Sequence, residues 1–340
     1  MVTKLDITVR GDRVFFGDAF SISFQRTLRI PDDGRDYPLP PGLGTFPVRL
    51  VDDYADSVPA EWREHGGVFL PMFQREAMWL SFAGQYWKPR ALKIAVGKVC
   101  AVTGKRWTEN LHGKPPDYVV TPPQPWLDGI ASGKGTIRQF VAMPLGLGYT
   151  VEGQITGEES VGGIQIKVFE PKPGRFPDEA PYEQVRMRGG AFPPPMMFAA
   201  PAPARTACGS MGIAAGGRMK QKIYPDPHGI DTWDTAHTGR VFVHIVNSEL
   251  WREITGEPVP QSPVTAREYA KAGLPWFELY DERMPTVDPS DTLAAVKSVK
   301  ELDAEKSTLP LQDDGSVEPG PVKKLLVKVA KGLGVRDGEW

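Results

Sequence analysis

The densest group of ionisable side chains lies in PDPHGIDTWDTAH, where Asp226, His228, Asp231, Asp234 and His237 fall within thirteen residues, with Trp233 among them. Carboxylate oxygens and imidazole nitrogens are donors that divalent metals accept, and the same groups serve general acid–base catalysis. As a metal set they would support assisted hydrolysis. Their intervals match no established metal motif, however, and aspartates collect in turns because their side chains hydrogen-bond the nearby backbone. A solvated turn is the expectation, with a metal-assisted hydrolase as the alternative.

Four tryptophans in turn-like sequence offer a second chemistry. Trp87, Trp107, Trp126 and Trp233 have Asn110, Asp128 and Asp231 near them in the chain. An indole face can stack on the C–H groups of a sugar while amides and carboxylates take its hydroxyls, so a carbohydrate-binding module is a further alternative. The ordinary use of tryptophan is packing in a core or at a subunit contact, and that is the expectation here.

Other motifs fall short. GIASGKGT, residues 129–136, resembles a phosphate-binding loop, but its glycine spacing is one short and a strand pattern follows where a helix must start. Residues 209–217 lack the dinucleotide fingerprint, and no G-x-S-x-G elbow occurs. Cys100 and Cys208 cannot make a disulfide framework and read as small hydrophobes. His65, His112 and His244 are isolated, and His244 within RVFVHIV reads as a core histidine. No cofactor is expected, and the balance leans away from an enzyme.

Two stretches suit contacts. RMRGGAFPPPMMFAAPAPARTACGSMGIAAGG, residues 186–217, is apolar yet too rich in Gly, Pro and Ala for a regular helix or strand. Phe192, Met196, Met197 and Phe198 within it need a cover, supplied by the protein's own sheet or by another subunit. Near the end, Lys323, Lys324, Lys328 and Lys331 alternate with Leu325, Leu326, Val329 and Leu333 in the manner of a basic amphipathic helix. Such a helix fits a groove on a partner protein or, as the lesser reading, an anionic membrane.

Behind these residues the elements are mostly strands. Ile137–Glu170 reads as three strands in succession, an antiparallel meander broken by glycines. Residues 5–16 form a hairpin turned at Gly11-Asp12, and Ile22, Phe24, Leu28 and Ile30 alternate after it. Ser57 caps a short helix ending at Gly66. Residues 72–83 suit an amphipathic helix or a buried strand. Residues 87–107 return to strands, 108–136 read as a long loop, and 240–246 as a strand buried on both faces. Asn247 or Ser248 caps one later helix and Thr265 another, and Ser290 to Leu302 reads as a third.

The fold class is therefore α+β and β-rich, an antiparallel sandwich-like core with short helices and long Pro/Gly-rich loops. Gly and Pro together number 70 (36 Gly, 34 Pro), about a fifth of the 340 residues and above the ordinary ~12%. Residues 1–283 make the globular region, with a sub-domain boundary near 110–136, and 284–340 a tail. Forty basic residues against 42 acidic leave no basic excess for nucleic acid. The start lacks an apolar signal region, which points to the cytoplasm. The function expected is a non-enzymatic structural or assembly protein that forms homo-oligomers.

Overall fold

The chain from Leu5 folds as its alternation requires: β1 (Ile7–Arg10) and β2 (Arg13–Phe16) pair antiparallel, with Arg10 opposite Arg13 across a Gly11-Asp12 turn. Gly11 sits at φ +59, the left-handed region a two-residue hairpin needs. A computed structural model describes residues 4–181, 209–278, 284–308 and 315–324.

In order, β3 (Phe20–Thr27), β4 (Asp36–Tyr37), β5 (Gly42–Thr45) and β6 (Arg49–Leu50) precede helix α1 (Ala60–His65). Then come β7 (Val68–Met72), β8 (Ala77–Gly84), β9 (Arg90–Val96), β10 (Val99–Cys100), β11 (Val119–Thr121), β12 (Trp126–Leu127), β13 (Gly129–Gly133) and β14 (Thr136–Pro144). Helix α2 (Val151–Thr156) separates β14 from β15 (Ile164–Pro171), which is followed by β16 (Ser210–Lys220) and the long β17 (Trp233–Asn247). Four helices and two strands remain: α3 (Trp251–Thr255), α4 (Ala266–Lys271), β18 (Trp276–Glu278), α5 (Asp291–Ala294), α6 (Val299–Glu305) and β19 (Val322–Lys324) complete the description, β18 pairing with β19 in parallel.

Two runs of paired strands can be traced. One reads β11–β9–β15–β17–β7–β6, antiparallel except where β7 and β17 run together. The other reads β1–β2–β3–β8–β14–β16. Ser210 and Met211 of β16 pair with Val246 and Ile245 of β17, which joins the two runs into one hydrogen-bonded sheet. Ile22, Phe24, Leu80 and Ile137 of the second run share a single buried core with Leu92, Ile94, Ile166 and Val243 of the first.

Several expectations need correction. The central meander is not three strands: its middle third is α2, capped by the Thr150 hydroxyl on Gly153 N and closed at Gly157, φ +77. Consequently β14 and β15 lie in different runs. Of the two readings open for residues 72–83 the strand holds: they are the end of β7, a turn and β8, because β3 pairs with β8 along eight residues. The long loop 108–136 contains β11, β12 and β13. Pro59, not Ser57, precedes α1. Residues 210–217 of the apolar stretch are part of β16, where Gly212, Gly216 and Gly217 leave room for neighbours that a Cβ would strike. Ser290 to Leu302 is two helices, capped separately by Ser290 and Ser298.

The sequence places residues 284–340 in an appended tail. In the structure Val287, Leu293, Val296 and Val317 belong to the main core, and Val299 and Leu302 cover Ala77, Val141 and Ala214. Among the described residues no helix is long and apolar enough to cross a membrane. Phe192, Met196, Met197, Phe198, Leu325, Leu326 and Val329 lie outside the described residues.

Candidate functional site

Three cations stand directly opposite one another on one face of the first run. The register places Lys167 of β15 against Lys93 of β9 on one side and Arg240 of β17 on the other. Like charges in this position repel. The segment between β10 and β11 neutralises them. Asp117 Oδ2 accepts from Lys93 Nζ at 2.7 Å, and Lys93 also donates to Thr108 Oγ1 and to the Asn110 carbonyl. That uses all three ammonium protons of a side chain only 1% exposed. Glu109 accepts from Lys167 Nζ, Arg240 Nη1 and Trp107 Nε1. Burial pushes the Glu109 carboxyl up, but these hydrogen bonds and the Arg240 charge outweigh it and hold the group below the usual range.

His112 completes this arrangement. Its backbone N–H donates to Asp117 Oδ1 and its Nδ1 lies 2.8 Å from Oδ2, while the ring is half exposed. A carboxylate in that position selects the tautomer with the proton on Nδ1. The adjacent Tyr118 then links this segment to the sequence cluster. Its hydroxyl donates to Asp226 Oδ2 at 2.7 Å, and burial followed by the Asp226 partner pushes the phenol well above its ordinary value.

Asp226 accepts two further bonds, from Trp233 Nε1 at 2.8 Å and from His228 N at 2.7 Å. The His228 ring packs edge-on between Phe176 and Trp233. Asp231 is exposed within a single 3-10 turn, Ile230–Thr232. Asp234 Oδ1 accepts from the backbone of Ala236 and of His237, which is turn chemistry. Among the described residues, no three His, Cys, Asp or Glu side chains gather as a metal-holding group.

The four tryptophans have separate surroundings. Trp233 is 1% exposed in a small core with Tyr118 and Phe169. Trp107 lies under Lys93 Nζ, Trp87 meets Tyr86 edge-on, and Trp126 meets Trp79 edge-on. His244 is buried against Trp62, their rings stacked at 4.8 Å, with Nε2 3.0 Å from the Gly66 carbonyl. Burial pulls it down to about 4, so near neutral pH the ring is uncharged and Nε2 is the donor.

Asp128, grouped with the tryptophans by sequence, is 3% exposed and away from any sugar-accessible surface. Its backbone N–H donates to Gln221 Oε1, and Gln221 Nε2 donates back to its carboxyl. Gln221 also lines a shallow surface recess with Ile223, Thr286 and Asp288, which has no enclosed space for a small molecule. No cation pairs with Asp128 among the described residues, and burial pushes its carboxyl up to about 7.

A carboxyl raised in the folded state stabilises fully below its unfolded value, and that contribution is lost as pH rises through the folded value. Asp128→Asn is therefore expected to remove this loss. The stability difference between variant and parent should grow in the variant's favour by about 1.4 kcal/mol per pH unit between about pH 5 and 7. Urea unfolding at several pH values reads this directly, and parallel curves would discard the assignment.

Lys93, Asp117 and Tyr118 were missed in the sequence. One signal was present: a lysine in the middle of the apolar strand RALKIAV must find a buried partner. No family model, curated protein or solved structure matches the chain. Fold and site together define a β-rich protein whose cation row is neutralised by its own connecting segment.

Proposed function

We propose that the protein is a non-enzymatic structural or assembly component that associates with copies of itself. Phe192, Met196, Met197 and Phe198, and toward the C-terminus Leu325, Leu326 and Val329, are the residues assigned to those contacts. The two runs of strands act as the layers of a sandwich-like core that presents them, and the setting is cytoplasmic. One observation carries the reading: the polar groups of the candidate site are saturated by each other. Lys93 has three acceptors, Asp226 three donors, and Glu109 three donors. Groups engaged this fully hold segments in place and are not poised for substrate. A metal on Asp226 would have to displace Tyr118 and Trp233, so the assisted-hydrolysis alternative gains no support.

The stretch that contains Phe192 to Phe198 lies in sequence between β15 and β16, inside the sheet's connectivity. Its apolar side chains are of the kind that oligomer contacts enrich. Light scattering on the purified chain is expected to give a mass of two or more subunits. Exchanging Phe192, Met196, Met197 and Phe198 together for serine should return it to one. A strict monomer at high concentration defeats the proposal.

A further inference from the structure

Cross-strand partners in a sheet point to the same face, and the register of the second run puts an unusual set of them on its outer side. One row is Arg13 of β2, Ser23 of β3, Ser81 of β8 and Trp126 of β12, each directly opposite the next. The row beside it is Thr45 of β5, Gln25 of β3 and Trp79 of β8. Their chain neighbours Val14, Ile22, Phe24, Leu80 and Leu127 point the other way into the core. Four strands at ~4.8 Å spacing make the first row about 14 Å from Arg13 to Trp126.

The profile is a trough. Ser81 is half-buried in the middle with Ser23 fully buried beside it, Arg13 stands at one side and the Trp79–Trp126 pair at the other, its rings 5.8 Å apart and edge-on. Gln25 Nε2 donates to Ser23 Oγ and Thr45 Oγ1, which leaves the Thr45 hydroxyl proton and the Gln25 amide oxygen for something else, while Ser23 has no exposed surface and only forms the floor. Arg13 Nη1 reaches Ser21 Oγ at 3.4 Å. Trp126, Gln25 and Ser81 are half-buried, and Arg13 and Thr45 are exposed. A second observation is independent of the row. Trp79 is 9% exposed, and its indole N–H is buried with no hydrogen-bond partner. A buried donor without an acceptor is costly, and natural structures rarely keep one without a use.

We propose that this face binds a linear oligosaccharide. A pyranose ring offers C–H faces for the Trp126 indole and a hydroxyl on nearly every carbon. The trough supplies hydroxyl donors, an amide acceptor and a guanidinium at matching intervals across the strands. The Trp79 N–H is buried beneath this face, so an acceptor on a bound chain reaches it only if the Trp79 side chain turns outward on binding. Of the tryptophans singled out by sequence only Trp126 takes part; Trp79, Gln25, Ser23 and Ser81 are legible only from strand register. The trough uses none of the residues assigned to self-association, so calorimetry and light scattering test the two proposals separately.

The test is isothermal titration of the full chain with cellohexaose, chitohexaose, laminarihexaose and hexagalacturonate, each to millimolar concentration. At least one is expected to bind, and Trp126→Ala to weaken that one by about ten-fold or more with an unchanged melting curve. Gln25→Ala serves as the second variant and is also expected to weaken it, so that misfolding of one variant does not decide the matter. Silence from all four sugars overturns the proposal, as does binding that neither variant affects. Aromatic faces also accept polyproline, so a proline-rich decapeptide is included. Binding of the peptide with no sugar bound overturns the proposal too.

Discussion

Asp303→Ala is expected to cost about 3–5 kcal/mol of folding stability, the range for leaving one member of a buried ion pair alone. Arg75 Nη1 and Nη2 donate to the two oxygens of Asp303 at 2.7 and 2.8 Å, and Tyr149 adds a third bond at 2.8 Å. The side chains are 8% and 1% exposed. Arg75 occupies the turn between β7 and β8 at φ +69, a conformation that non-glycine residues hold only where the surroundings enforce it. Without Asp303 the guanidinium is left buried with a charge and no anion, and α6 loses its tie to that turn. Denaturant unfolding measures the cost. Arg75→Met combined with Asp303→Leu should restore most of it, since an apolar pair of similar volume needs no neutralisation. If the single variant loses less than about 1 kcal/mol, the pair is acting like an exposed one and the description of it is wrong.

The second large effect is expected at Asp117. Alanine there strands Lys93 Nζ against the Trp107 ring and leaves His112 without its ring partner, and the same range of about 3–5 kcal/mol applies. This variant has a spatial signature as well. Residues 105–118 are held over the cation row through Asp117 and Glu109, so limited proteolysis should cut this stretch in Asp117→Ala well before the parent. Lys93→Met in the same background should return both stability and resistance. Unchanged proteolysis would show that Glu109 alone keeps the segment down.

These two positions mark where sequence reading stops. Local rules were legible: Thr265 caps α4 as expected, with Glu268 completing a capping box, and Asn247 caps the turn after β17. His244 is the core histidine its apolar strand implies. Patterns two or four residues long misled where both periods fit. Val151 and Ile155 sit four apart, which is also a helix repeat, and the Thr150 cap with Gly157 decided for α2. Met78, Trp79 and Phe82 suited a helix face until pairing with β3 settled the matter. Asp303 could not be read at all, because its partner lies 228 positions away and no local pattern announces it. The trough had the same difficulty, since its residues come from strands separated by more than a hundred positions and only register aligns them.

The parallel pairing of β7 with β17 has a consequence for how the molecule is made. Val68 waits for Val243, which is 175 positions later in the chain. At ~5–20 residues per second, translation leaves the apolar VFLPM strand without its neighbour for roughly 9–35 s. Closing so distant a contact is slow once the chain is complete, and a bare strand edge during that interval invites pairing with other nascent chains. Yield in a living cell is thus governed by synthesis rate and chaperone supply as much as by the stability of the finished product.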